Sequence, residues 1–449
     1  MSNVNRQILR LAVPSILANI TIPLVGIVDT AIVGHLGDAS AIGGIAIGTM
    51  LFDLLYWNFG FLRVGTSGLT AQAFGQGERL KVKSERVFAE CRKILMQSLS
   101  IAGVGALFVW AIQWLFVTGV LAVMPCAHET EELARDYFFV RIWAAPATLM
   151  LMAFKGWFIG MQDTKSPMSV DILVNVVNMI ASYLLAVYTP LGVVGVAWGT
   201  LIAQYSGLML AVGILVFRYI DISLFRDLEV WKNAMHWNEM RRMMRLNGNL
   251  FIRSLCFMVV YVGFTALAST YGENSVELAV SSVLMKLFMF FSYFVDGFAY
   301  AGEALVGKTI GEGERSKDTG DRLVEIIKAL FNWCLAVGLV FTLVYAFFGK
   351  ECMALMTDKA EVLDAAGKYM GWLIAMPIVS AVAFMWDGVY VGATAGKQIR
   401  NAMIWAAVSF VGCYAATFSW MGVQALYLAY FAHLIARVFY LTVKWKKVI

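Results

Sequence analysis

The feature that most constrains this chain is its series of long apolar runs. Twelve of them lie near residues 8–33, 41–72, 94–117, 136–161, 167–188, 192–217, 247–270, 277–308, 324–348, 365–393, 400–419 and 422–443. Each reaches the roughly 20 residues that an α-helix needs to cross a bilayer. Hydrocarbon offers backbone groups no water, so only helices or closed barrels can span it. Runs of this length are helical, and the sequence predicts an all-α integral membrane protein. Only 14% of the 449 residues are charged and the mean hydropathy is +0.73. A water-soluble surface needs roughly a quarter of its residues charged, so a large soluble domain is excluded. Pro14 and Pro23 interrupt the first run and no small-residue cleavage site ends it, unlike a cleaved signal peptide.

The net charge of +5 does not point to nucleic acid, because the positive residues sit in short loops. Arg and Lys in alternate loops and helix ends number 26 against 4. The rich set includes Arg79, Lys81, Arg241, Arg242, Arg437 and Lys444; the poor set is Arg135, Lys350, Lys359 and Lys368. The rich side faces the cytoplasm, which places both termini there. Cysteines and histidines are scattered without metal-ligand spacing, so no metal or cofactor is expected, and no enzyme.

The chain repeats itself. GQGER at 75–79 returns as GEGER at 311–315, Pro146 as Pro377 and Gly160 as Gly392, at offsets of 236, 231 and 232. The repeat divides the chain into a first six-helix half at 1–218, a cytoplasmic linker at 219–246 and a second half at 247–449. With an even number of spans in each half, the repeat is parallel, as in transporters that move two halves about a substrate path. One chain then holds a complete path, and a monomer suffices.

Charges inside spans are costly, about 2.5–3.5 kcal/mol each at a helix centre, and mark function or internal pairing. Asp29 shares a helix face with Asn19, Pro23 and Thr30. Pro23 cannot donate to the carbonyl of Asn19, so Asp29 lies beside weakened backbone. It reads as a proton or cation site, or as the partner of an intramembrane cation. Asp387 lies with Tyr390 on a polar stripe after Pro377 and reads equally as a coupling carboxylate or an interhelical clamp. Arg63, Arg253 and Lys286 are expected to neutralise carboxylates. Asp296 and Glu303 share a face and form a cation site or pair with Lys286 or Lys308. Asp53 and Lys155 read as structural partners. Asn175, Asn178 and Ser182 line a cavity or join helices. Met285, Phe288, Tyr293, Phe384, Met385 and Trp386 form either an adaptable ligand wall or lipid-facing bulk.

Together, GLTAQAFGQGER after the second span, GEALVGKTIGEGER after the eighth, NITIPLVGIVDTAIVGHLGD, FLRVGTSGLTAQAFG and WDGVYVGAT resemble the MATE (multidrug and toxic compound extrusion) transporters, in particular their DinF-like branch. The resemblance covers essentially the whole chain. It implies a V-shaped bundle with a central cavity, in a bacterial inner membrane, exporting organic cations and other amphipathic compounds by alternating access. It implies that Asp29 is the functional carboxylate of the first helix and Asp387 the helix-ten carboxylate of the NorM-type branch. Two departures matter. Ser182 stands where related archaeal members carry an aspartate, and only Arg253 stands where the NorM type has its helix-seven glutamate. Both favour proton over sodium coupling. A flippase for a lipid-linked substrate is the alternative if Arg63, Arg253 and Lys286 line the cavity.

Overall fold

The computed structural model describes residues 3–34, 39–79, 84–123, 127–219, 232, 234–271, 276–313 and 317–447. Among them, twelve helical segments are long and apolar enough to cross a membrane. We number them α1 (Asn3–Gly34), α2 (Ser40–Gly77), α3 (Ala89–Ala122), α4 (His128–Gly160), α5 (Lys165–Tyr188), α6 (Val193–Arg218), α7 (Met240–Ala268), α8 (Val276–Glu312), α9 (Thr319–Ala354), α10 (Ala360–Gly392), α11 (Gly396–Met421) and α12 (Gln424–Lys444). Large apolar side chains such as Ile27, Trp114, Phe217 and Phe347 are exposed along them. Lipid rather than water is the solvent for such surfaces.

Two compact units divide the described chain. One comprises residues 17–244 and the other residues 1–16 with 245–449. The pairings of one recur in the other. In the first unit α2, α3 and α4 pack mutually, α5 packs on α6, and α4 touches both. In the second, α8, α9 and α10 pack mutually, α11 packs on α12, and α10 touches both.

The backbone repeats as well. Among the described residues, the non-glycine positions with positive φ are Gln162 (62°) and Thr394 (52°), each ending a pivotal helix, α4 or α10. Gly192 (50°) and Gly422 (56°) turn the chain between the last two spans of each unit. At these two glycines a side chain would be strained, because φ > 0 costs any residue with a Cβ.

Close approach needs glycine at matching places too. Gly156 and Gly160 of α4 lie against α2, where a Cβ on Gly156 would come within 3.0 Å of the Arg63 backbone. Gly388 and Gly392 of α10 lie likewise against α8, where an added Cβ would come 2.9 Å from the Ala299 Cα and the Gly307 nitrogen respectively. This small-xxx-small pattern lets helix backbones meet in lipid, where dispersion and short polar contacts replace the hydrophobic drive.

The ends of α1 and α7 exchange units. Residues 3–16 belong with the second unit, where Asn5 Oδ1 accepts Trp333 Nε1 at 3.1 Å. The start of α7 belongs with the first, where Arg242 donates to Gln72 at 3.0 Å. Just before α7, Gln97 Nε2 donates to the Ala234 carbonyl at 2.8 Å.

Candidate functional site

The first unit holds Asp29 on α1. One of its carboxylate oxygens is buried and has no hydrogen-bond partner among the described residues. The cation nearest in effect is Arg141 of α4, whose charge acts on both Asp29 and Asp53. Arg141 is held by aromatic groups. It donates to the Tyr137 hydroxyl at 2.7 Å and stacks over the Phe52 ring at 4.6 Å. A guanidinium over a ring gains a cation–π attraction that grows where water is scarce. Two carboxylates thus share the field of one arginine, and Asp29 keeps an unspent acceptor.

Four other predicted residues of this unit, Asn175, Asn178, Ser182 and Lys155, join helices. Asn175 of α5 donates to Thr21 of α1, and Thr21 turns its own hydroxyl to the Ala18 carbonyl at 2.7 Å. Asn178 donates to Thr200 of α6 at 2.9 Å, and its buried side-chain oxygen has no partner among the described residues. Ser182 is fully buried against Gly199 of α6. Asn19 is buried, and the side chain of Thr30 lies outside the described residues. Pro23 falls within α1, a single helix. Arg63 is half-buried on α2. Lys155 pairs with Asp171 of α5.

The second unit holds Asp387 on α10, 7% exposed. Two arginines converge on it. Arg437 of α12 donates through Nε to Oδ1 at 3.1 Å and through a terminal nitrogen to Oδ2. Arg253 of α7 donates to the same Oδ2 at 2.7 Å. Three of the carboxylate's roughly four lone-pair sites are therefore filled. Arg437 is 2% exposed and corrects the sequence reading, which places it among the charges at cytoplasmic helix ends. Moving it inward leaves the charge asymmetry of the loops standing. Its position about two turns before Lys444 was the available signal. Arg141 and Asp171 were missed as intramembrane charges for the same reason, lying inside spans but near their ends.

Around this cluster, His433 is fully buried, with Nδ1 3.0 Å from the Tyr430 carbonyl and Nε2 unpartnered among the described residues. Tyr390 does not bond Asp387; its hydroxyl donates to the Leu441 carbonyl at 2.6 Å. Phe288 packs against Phe291, Phe384 and Tyr430. Met285, Met385 and Trp386 are buried as well. Most of this Met and aromatic cluster is therefore core, neither lipid-facing nor an open wall. Asp296 is half-buried and Glu303 buried on α8, whereas Lys286 is exposed and makes no ion pair among the described residues.

Comparison with known proteins agrees with this architecture. The MatE family model matches residues 14–184 and 250–415. The chain is 32% identical to DNA damage-inducible protein F of Escherichia coli, over 100% of its own length and 93% of that protein's. It is 22% identical to a probable multidrug resistance protein NorM of Thermotoga maritima, over 80% of this chain and 74% of that one. A MATE crystal structure in complex with MaL6 superposes with a TM-score of 0.85 at 17% identity, covering 99% of this chain and 96% of that one. A MOP superfamily transporter from Pyrococcus furiosus gives 0.84 at 17%, with the same coverage. The repeated helix pairings, the matched family model and the full-length relative converge, and the chain belongs to the MatE family of multidrug and toxin extrusion transporters.

Proposed function

We propose that this transporter is a proton-coupled antiporter of a bacterial inner membrane, with both termini cytoplasmic and the single chain as the working unit. Asp29 is its coupling residue. The observation that carries this reading is the contrast between two carboxylates inside spans, Asp29 half-buried and Asp387 buried. Asp29 keeps an oxygen without a hydrogen-bond partner among the described residues, while both oxygens of Asp387 accept from Arg253 and Arg437. A proton or an organic cation has an acceptor at the first site and meets two guanidinium groups at the second. Ionised Asp29 attracts a cationic amphipath and neutral Asp29 does not, so proton and cargo exclude each other electrostatically. A ligand shifts a transporter's equilibrium only by its differential affinity for the two states, and this exclusion supplies one.

The sodium alternative through Asp387 requires a cation to bind a carboxylate that already accepts from two arginines at three of its roughly four lone-pair sites. Ethidium export from proteoliposomes separates the readings. Under a pH gradient alone, wild type exports and Asp29→Asn does not. Export driven by sodium alone, or surviving Asp29→Asn at the wild-type rate, refutes coupling at Asp29.

A further inference from the structure

The charges paired at Asp387 do not balance. Two arginines and one aspartate form an ion-paired trio with a formal excess of one positive charge. The two arginines are unequally used. Arg437 spends two nitrogens on the carboxylate and is buried. Arg253 spends one, and its side chain is 23% exposed. A guanidinium carries five donors in a planar fork, so most of those on Arg253 have no partner among the described residues. An arginine placed this way within a span faces protein or a water-filled cavity rather than lipid, because lipid would charge it several kcal/mol. Cys256 and Phe257 share its helix face and are half-buried.

We infer that Arg253 is an anion-recognition residue, and that the cargo of this transporter includes amphipathic compounds carrying a carboxylate, phosphate or sulfonate. The inference takes from the proposed function only that the chain handles small amphipathic molecules. An anionic head group neutralises the excess charge and takes the free edge of the guanidinium, where two parallel hydrogen bonds to one oxyanion fit. The apolar body of the ligand lies along the Cys256 and Phe257 face. A purely cationic compound gains nothing here and is repelled. Asp387 and Arg437 serve as positioning residues: the bidentate pair fixes the carboxylate, and the carboxylate fixes Arg253.

The test uses the full chain in nanodiscs of phosphatidylcholine, with a dansyl-labelled fatty acid and the uncharged amide of the same molecule as probes. Wild type is expected to hold the acid about tenfold or more tighter than the amide, the value of a charge-assisted hydrogen bond. Arg253→Gln makes the two affinities equal, and Arg253→Lys keeps part of the preference, which a folding defect would not. Equal affinities in wild type, or a preference that survives Arg253→Gln, overturn the inference. Adding phosphatidylglycerol separates the sources of the anion. If it displaces the acid, the site belongs to a lipid head group and the cargo assignment falls; if it does not, the assignment stands. Ethidium export under a pH gradient is read in parallel. Its absence with an intact acid preference rejects the proton-coupled reading and leaves the anion site. Its presence with equal acid and amide affinities rejects the anion site alone.

Discussion

Removing the Asp387 carboxylate should harm this protein far more than removing Arg253. Asp387→Asn leaves Arg253 and Arg437 facing each other, raising the local charge from one excess positive to two, with Arg437 2% exposed. Breaking a buried ion pair by deleting one partner costs about 3–5 kcal/mol, and here the deleted partner serves two arginines. Arg253→Gln removes the charge excess instead. It loses one hydrogen bond from a partly exposed side chain and keeps the bidentate Arg437 pair, so its cost is about 1 kcal/mol or less. Arg437→Gln falls between, because Asp387 keeps Arg253. For a unit of this size the Asp387→Asn loss corresponds to a fall of about 10 °C in melting temperature, and the Arg253→Gln loss to about 2 °C. The assay is thermal unfolding of the purified chain in mild detergent, read by the monodisperse fraction in size-exclusion chromatography. The double variant Asp387→Asn with Arg437→Gln should recover about 2 kcal/mol relative to additivity, as expected of residues in contact. If Arg253→Gln melts as early as Asp387→Asn, or the double variant is additive, the charge-balance argument is wrong.

The glycine contacts give a second expectation. Gly388→Val drives side-chain atoms into the Ala299 backbone and should cost about 3 kcal/mol or more, as overpacking against an unyielding backbone does. Gly371→Ala, with nothing within 4 Å of its Cβ, should be silent in the same melting assay. Just past the end of α6, Tyr219 donates to Asp163 at 2.6 Å. Burial first, then that bond and the Asp163 charge, push its phenol above the usual range. A raised folded pKa means its stabilisation is whole below the unfolded value of about 10 and is lost as pH climbs beyond it. Melting measured above that pH should therefore decline more steeply in wild type than in Tyr219→Phe. Asn5→Ala removes the acceptor of Trp333 and should cost about 1 kcal/mol, with a red-shifted tryptophan emission as a second readout.

Much of the architecture was legible because it is written locally. Span length, loop charge and the repeat are properties of consecutive residues, so hydropathy and the paired GQGER and GEGER motifs disclosed twelve spans without any contact. Asp29 and Asp387 stood out for the same reason: a carboxylate in an apolar run is costly wherever it points. Their surroundings were not legible. Arg437 looks like one more basic residue before a cytoplasmic end, and only the packing of α12 on α10 brings it to Asp387, with α7 supplying Arg253. Spacing could not pair Lys155 with Asp171 or tell the Asp29 oxygen, unpartnered among the described residues, from the doubly arginine-paired Asp387. Nor could it reveal that the ends of α1 and α7 exchange units. Helix formation obeys hydrogen bonds a turn apart, which sequence encodes directly. The identity of a charge's partner depends on which helix faces lie together, and residues far apart in the chain decide that jointly.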